Sequence, residues 1–274
     1  MKVGTDGVLL GAWVSLRGDE RSAIDVGTGT GLIALMLAQR MKTTLGISLD
    51  ALPDEKPERR NRWEILGIDF DEAAAGEAAA NFALSPWASR LAARAVSLQT
   101  FVSEWEQNPG FLFPNHTSDP VLGTNAPDFV PETLSDGGPD LRFFDLIVSN
   151  PPFFKASLKA PDAQRRAARH DDTLPSTDLI AAAARLLSPT GRLAVIYPPE
   201  EARAFVLDAE AAGLYLSRQT RVISVAGQAP KRHLMEFSRM PGMPVFDDLV
   251  LHDTSGGPRS AAYRTLTADF YLDD

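Results

Sequence analysis

Ser22-Ala23-Ile24-Asp25-Val26-Gly27-Thr28-Gly29-Thr30-Gly31 reads as a short apolar strand that breaks into a glycine turn. Leu32 to Gln39 follows as an apolar helix. Strand, glycine turn and helix form the first half of a βαβ unit, and such a unit calls for a parallel sheet. Working outward, Ile65-Leu66-Gly67-Ile68-Asp69 predicts a second strand and Asp71 to Ala83 an alanine-rich helix. Ala95 to Leu98 is a weak third strand, and Phe144 to Val148 is the fourth. Asp178 to Leu187 predicts a helix capped by Ser176 or Thr177. Pro189-Thr190-Gly191 turns into a fifth strand, Leu193 to Tyr197. Glu200 to Ala212 predicts a further helix, stopped at Gly213. The remainder alternates like antiparallel strands: Thr220 to Val225, His233 to Ser238, and short pieces near Leu249 and Tyr271. Strands and helices in alternation predict an α/β fold with a mainly parallel sheet.

Two stretches interrupt this plan. Met41 to Trp63 carries Pro53, Pro57 and many charges, and Asn108 to Leu141 is rich in proline, glycine and acid. Both exceed the usual connection of about 2–6 residues. They predict surface insertions, at 41–63 and 108–141, within a single domain spanning 1–274.

With 274 residues, 44% hydrophobic and 23% charged, the chain has the composition of a globular protein. It shows no apolar run of membrane-spanning length and no leader, so the expectation is a soluble, cytoplasmic protein. Zero cysteines exclude disulfides, thiolate metal sites and a cysteine nucleophile. His116, His170, His233 and His252 lack metal-ligand spacing, and no metal is expected. Nothing calls for more than a monomer. The net charge of −9 argues against non-specific nucleic-acid binding. Its distribution is uneven, however. Lys155, Lys159, Arg165, Arg166 and Arg169 follow the fourth strand with only Asp162 opposing them, which fits either an RNA-facing strip or a solvated helix face.

The glycine loop has the pattern G-x-G-x-G, from Gly27 through Thr28 and Gly29 to Gly31. The dinucleotide fingerprint is G-x-G-x-x-G, and the nucleotide-triphosphate loop needs a lysine that is missing here. Asp25 at the strand end disfavours phosphate and suits an amine or a sulfonium. Asp69, at the end of the second strand, can accept both hydroxyls of a ribose. A ligand with a ribose and a cationic tail satisfies both acids, and S-adenosylmethionine is such a ligand. Each element also has a plainer reading: a tight turn for the loop, and a helix-capping acid for Asp69, where Asp71 competes.

Asn150-Pro151-Pro152-Phe153 follows the fourth strand. Two prolines hold the segment rigid and extended, and their carbonyls cannot all enter a sheet. An amide and a carbonyl beside an aromatic ring suit a planar amino group, which donates to the oxygens while the ring stacks on it. Together with the loop this points to methylation of an amino nitrogen.

These residues resemble the class I S-adenosylmethionine-dependent methyltransferases that act on amino groups. The resemblance narrows to the bacterial tRNA(Val) adenine-37 N6-methyltransferase family. It rests on the opening block Lys2-Val3-Gly4-Thr5-Asp6-Gly7-Val8-Leu9-Leu10-Gly11-Ala12-Trp13 and on Ser149-Asn150-Pro151-Pro152-Phe153-Phe154. Ala168-Arg169-His170, Lys231-Arg232-His233-Leu234-Met235-Glu236-Phe237 and the ending Ala268-Asp269-Phe270-Tyr271-Leu272 extend it. It implies a Rossmann-like class I methyltransferase fold, with a seven-stranded, mostly parallel twisted sheet, an antiparallel C-terminal strand and helices on both faces.

Carried over by position, Asp25, Gly27, Thr28, Gly29 and Gly31 would line the methionine part of S-adenosylmethionine, with Thr5 and Asp6 closing that end. Asp69 would hold the ribose, with Phe70, Ser97 and Leu98 near the adenine. Asn150 and the Pro151 carbonyl, stiffened by Pro152, would hold the target amine, and Phe153 would stack on the base. Lys155, Arg165, Arg166, Arg169, Lys231 and Arg232 are candidates for tRNA phosphate contacts. Lys231-Arg232-His233 fits equally a turn between antiparallel strands. The chain departs from the family pattern at Ser97, where an aspartate is usual, and at Phe153, where tyrosine is usual. It also opens directly at the first block, where relatives often carry a further stretch. The same site chemistry would serve a protein-glutamine N5-methyltransferase or a non-catalytic cofactor-binding module. The opening and closing blocks and the basic strip favour tRNA.

Overall fold

A computed structural model describes residues 4–44, 63–108, 143–152 and 174–271. Eight strands form one sheet: β1 Ser22–Val26, β2 Glu64–Asp69, β3 Leu91–Ala95, β4 Phe144–Ser149, β5 Leu187–Tyr197, β6 Tyr215–Val225, β7 Arg232–Ser238 and β8 Val245–His252. Their spatial order is β3-β2-β1-β4-β5-β7-β6-β8. The first five pair in parallel. β7 runs against both β5 and β6, and β8 pairs in parallel with β6. The antiparallel strand of the expected sheet is therefore β7, and β8 extends the sheet to eight.

The described helices are α1 Thr5–Trp13, α2 Leu32–Thr44, α3 Glu72–Ala83, α4 Leu98–Gln107, α5 Ser176–Leu186, α6 Pro199–Ala211 and α7 Ala261–Thr267. They cover both faces. Ile24, Val26, Leu66, Ile68, Val195 and Phe237 point to one side, against Phe101 of α4, Leu179 of α5 and Phe205 of α6. Ala23, Ile65, Leu146, Val148 and Leu234 point to the other, against Leu9 of α1, Leu37 of α2 and Phe82 of α3. Such two-sided burial explains why the central strands read as continuous apolar runs. None of the described helices is long and apolar enough to cross a membrane.

Several expectations shift. The third strand is Leu91–Ala95, not Ala95 to Leu98, because Ser97 instead caps α4: its hydroxyl accepts from the Thr100 N–H at 3.1 Å. Ser176 is the first residue of α5, which starts after Pro175 without a side-chain cap. Tyr271 lies in no strand; its hydroxyl meets that of Tyr263, on α7, at 3.3 Å. Of the segment 41–63, Met41–Thr44 continue α2 and Trp63 is buried, while 45–62 lie outside the described residues. Asn108 caps α4, and 109–142 also lie outside.

The segment after α1 is tied to the sheet by a buried polar cluster. Glu236 of β7 accepts from the Ser15 N–H at 2.6 Å and from its hydroxyl at 3.0 Å. Arg192 of β5 donates to the Ser15 carbonyl at 2.7 Å and pairs with Glu20. Trp13 Nε1 donates to Thr220 of β6 at 2.7 Å.

Candidate active site

The sheet order reverses between β1 and β4, so the chain leaves these neighbouring strands towards opposite faces and opens a crevice at their C-terminal ends. The glycine loop and Asn150 both sit there, one after each strand.

The loop's three glycines have φ values of 72° at Gly27, 56° at Gly29 and 81° at Gly31, the left-handed region that favours glycine. A Cβ on Gly31 would lie 2.4 Å from Phe82 Cε1, so this residue also lets α3 approach the loop. The Gly27 and Thr28 N–H groups donate to the Ile68 carbonyl at 2.9 and 3.0 Å, fastening the loop to β2.

Asp25 is wholly buried on the α1–α2 face, between Gly67 of β2 and Val148 of β4 in register. The Thr28 hydroxyl donates to its Oδ2 at 2.8 Å, while Oδ1 is buried with no hydrogen-bond partner among the described residues. Gly67 makes that contact possible, since a Cβ there would lie 2.8 Å from Thr28 Oγ1. Burial pushes the carboxyl from 3.8 up to about 7; the Thr28 hydroxyl and then the Ala34 backbone N–H oppose the rise, and the nearby Asp69 charge adds to it. A cation at the loop would satisfy this acid.

Asp69 is held from two sides. Its Oδ2 accepts from the Gly29 N–H at 2.9 Å, and its Oδ1 accepts from the Asp71 N–H at 3.1 Å. Asp71, not Asp69, caps α3, accepting from the Ala73 N–H at 2.9 Å. Asp69 is thus positioned at the strand end, as holding a ribose would require. Phe70 beside it is 56% exposed, a ring free to meet a planar group. Ser97 follows β3 on the same edge, but its hydroxyl serves α4, donating to Thr100 Oγ1 at 2.9 Å. Leu98 is buried in the core behind it.

The Ser149 hydroxyl, fully buried, donates to the Val26 carbonyl at 2.8 Å and ties the ends of β4 and β1 together. Asn150 follows, half-buried, then Pro151 buried and Pro152 exposed. A Cβ on Gly7 of α1 would lie 3.3 Å from Leu32 Cδ2 and 3.9 Å from Asn150 Nδ2. The opening block therefore packs beside the Asn150 amide. Thr5 begins α1, exposed, and Asp6 Oδ2 accepts from Arg232 Nε at 2.7 Å.

Arg232, a candidate for phosphate on sequence grounds, thus has Asp6 among its partners. Arg232 and His233 begin β7, whereas Lys231 is exposed at the end of the β6–β7 turn, its N–H donating to the Val222 carbonyl at 2.8 Å. His233 lies beside Tyr197 and Arg221 in register; burial, then the charges of Arg203 and Arg221, lower its pKa below the ordinary histidine value. Phe153, Lys155, Arg165, Arg166 and Arg169 lie outside the described residues. Sequence reasoning missed Gly67, Ser149 and the Asp6–Arg232 pair. A glycine inside an otherwise β-branched and leucine-rich strand was the one available signal, since it marks a close approach.

No protein-family model matches the chain. Over 272 residues it is 38% identical to the tRNA1(Val) (adenine(37)-N6)-methyltransferase of Phocaeicola vulgatus, covering 99% of this chain and 91% of that protein. The protein of the same name from Tolumonas auensis is 35% identical over 272 residues, covering 99% and 90%. Among solved structures, a predicted O-methyltransferase from Agrobacterium tumefaciens aligns with a TM-score of 0.55 over 96% of both chains at 16% identity, a likeness of fold alone.

Proposed function

The chain belongs to the tRNA1(Val) (adenine(37)-N6)-methyltransferase family, and from that premise we propose that it methylates the N6 amine of adenine 37 in tRNA-Val, using S-adenosylmethionine. The observation that carries this reading is the pairing, at one switch point, of a buried and incompletely bonded Asp25 with the Asn150-Pro151 segment on the adjoining strand end. Asp25 and the glycine loop suit the cationic methionine end, and Asp69 suits the ribose. The cofactor supplies a methyl group on a sulfonium, already a good leaving group.

An adenine amine is a weak nucleophile because its lone pair is delocalised into the ring. The Asn150 amide oxygen and the Pro151 carbonyl accept its two hydrogens and draw the nitrogen towards tetrahedral geometry. The Ser149–Val26 hydrogen bond holds the strand end that Asn150 follows, and the two prolines stiffen the segment that carries the Pro151 carbonyl. Catalysis then rests on in-line orientation and on acceptors facing the developing positive charge, and the methylated amine regains neutrality by losing one of its two hydrogens as a proton to water. Turning the base out of its stack costs a few kcal/mol, recovered by stacking and phosphate contacts. Phe153 is assigned the first, and Lys155, Arg165, Arg166, Arg169 and Lys231 the second. Action on tRNA fits a cytoplasmic protein working as a monomer without a metal.

The test is transfer from labelled S-adenosylmethionine to tRNA lacking native modification, followed by nucleoside mass spectrometry. N6-methyladenosine is expected from the wild type. Asn150→Ala should lower turnover by roughly 10²–10³-fold, the effect of deleting one preorganised polar group. Label in a protein fraction with none in tRNA would replace this reading with glutamine methylation.

A further inference from the structure

Arg232 lies on β7, beyond β5, two strands away from β4, which Asn150 follows. Its Nε nevertheless meets the Asp6 carboxylate at 2.7 Å, across 226 positions of sequence. Arg232 Nη1 donates to the Lys231 carbonyl at 2.8 Å, which fixes the guanidinium plane. Both side chains are largely shielded, at 31% and 25% exposure, so the pair is less screened than an open surface ion pair. Asp6 stands in the first turn of α1, immediately before Gly7, the residue packed against Leu32 and the Asn150 amide. No side-chain hydrogen bond caps the start of α1, so local sequence does little to hold this end.

We infer that the Asp6–Arg232 ion pair is a latch that docks the first turn of α1 over the crevice, and that Arg232 is a positioning residue for cofactor and target amide rather than a contact to tRNA phosphate. The inference rests on the methyltransferase reading for its functional part only. With the pair intact, Gly7 lies against Leu32, at the start of α2 behind the glycine loop, and also faces Asn150. One turn of helix thereby sets the wall between the methionine end and the amine-holding amide. Without it, the first turn of α1 frays, and the cofactor must bind an end that is not yet formed.

The experiment compares wild type, Asp6→Asn, Arg232→Gln, the double variant and Arg232→Lys. Amide hydrogen exchange without cofactor reads docking of α1 directly: faster exchange at Val8 to Leu10 is expected in Asp6→Asn and Arg232→Gln, with the central strands unchanged. Cofactor Kd by calorimetry should rise about 5- to 10-fold in each single variant, with the double variant no worse than either, because both remove one interaction. Arg232→Lys keeps the charge and should recover most of the affinity. The affinity for tRNA, and its slope against salt, should stay at the wild-type values in Arg232→Gln. Unchanged exchange in α1, additive effects of the two substitutions, or a flattened salt slope with normal cofactor Kd would each overturn the latch. Wild-type protein that takes up no cofactor, yet shows the exchange difference, would overturn the methyltransferase reading and leave the docking role standing.

Discussion

If the proposed function holds, Asp25 should make cofactor binding depend on pH. Burial moves its carboxyl from 3.8 to about 7. At about 1.4 kcal/mol per unit, ionising it in the folded protein costs roughly 4 kcal/mol more than in the unfolded chain. Because the folded value is the raised one, this contribution to stability is fully present below pH 3.8 and is lost as pH rises through about 7. About a third of it is already lost by pH 5, so the protein without cofactor should be less stable at pH 8 than at pH 5 by roughly 3 kcal/mol, other groups being equal. A cation at the glycine loop reverses the preference, since it favours the carboxylate. One unit below its pKa the carboxyl is about nine-tenths protonated, and binding must displace that proton. Affinity for S-adenosylmethionine should accordingly fall about tenfold per unit below pH 7 and level off above it. Calorimetry in buffers of different ionisation enthalpy should register nearly one proton released per cofactor at pH 6 and almost none at pH 8.5. Asp25→Asn should bind more weakly at high pH and lose this part of the pH dependence. A wild type as flat as the variant, or proton uptake on binding, would refute the reasoning.

Gly31→Ala combines a left-handed φ of 81° with a Cβ 2.4 Å from Phe82, so it should lower stability by roughly 2–3 kcal/mol, read as a reduced denaturation midpoint, and weaken cofactor binding with it. Ser97→Asp keeps a good N-cap for α4 while adding a stronger acceptor at the edge where adenine would lie; cofactor affinity should rise about three- to tenfold in a binding titration, with the melting temperature little changed.

The glycine loop was legible because its residues act locally. Gly27 follows β1 where the turn signal puts it, and α3 begins at Glu72, one residue after its predicted start, with Asp71 as its cap. β3 was not, because Leu91–Ala95 is alanine-rich and buries fully only Leu91, leaving neither an apolar run nor a clean alternation. α1 shows no helical stripe either: Gly7 to Trp13 are buried on all sides, so no period of 3.6 can emerge. β8 is mostly exposed along its first half, and its parallel pairing with β6 is a long-range choice. Asp25 and Asp69 lie on the strands where the sequence puts them, yet their tethers were not legible. Gly67 beneath Thr28 and Ser149 across to Val26 become meaningful only once β1, β2 and β4 lie side by side.

β7 grips α1 at both ends, Arg232 holding Asp6 and Glu236 holding Ser15. Four strand steps, from Arg232 to Glu236, span about 13 Å. Seven helical steps, from Asp6 to Trp13, span about 10.5 Å, and Val14 with Ser15 closes the remainder. The strand thus acts as a gauge for the helix. A residue inserted into α1 or deleted from it would break one grip or rotate Gly7 away from Asn150 by about 100°. The opening block can change its side chains on the outer face, but its length is set by a strand more than two hundred residues further along the chain.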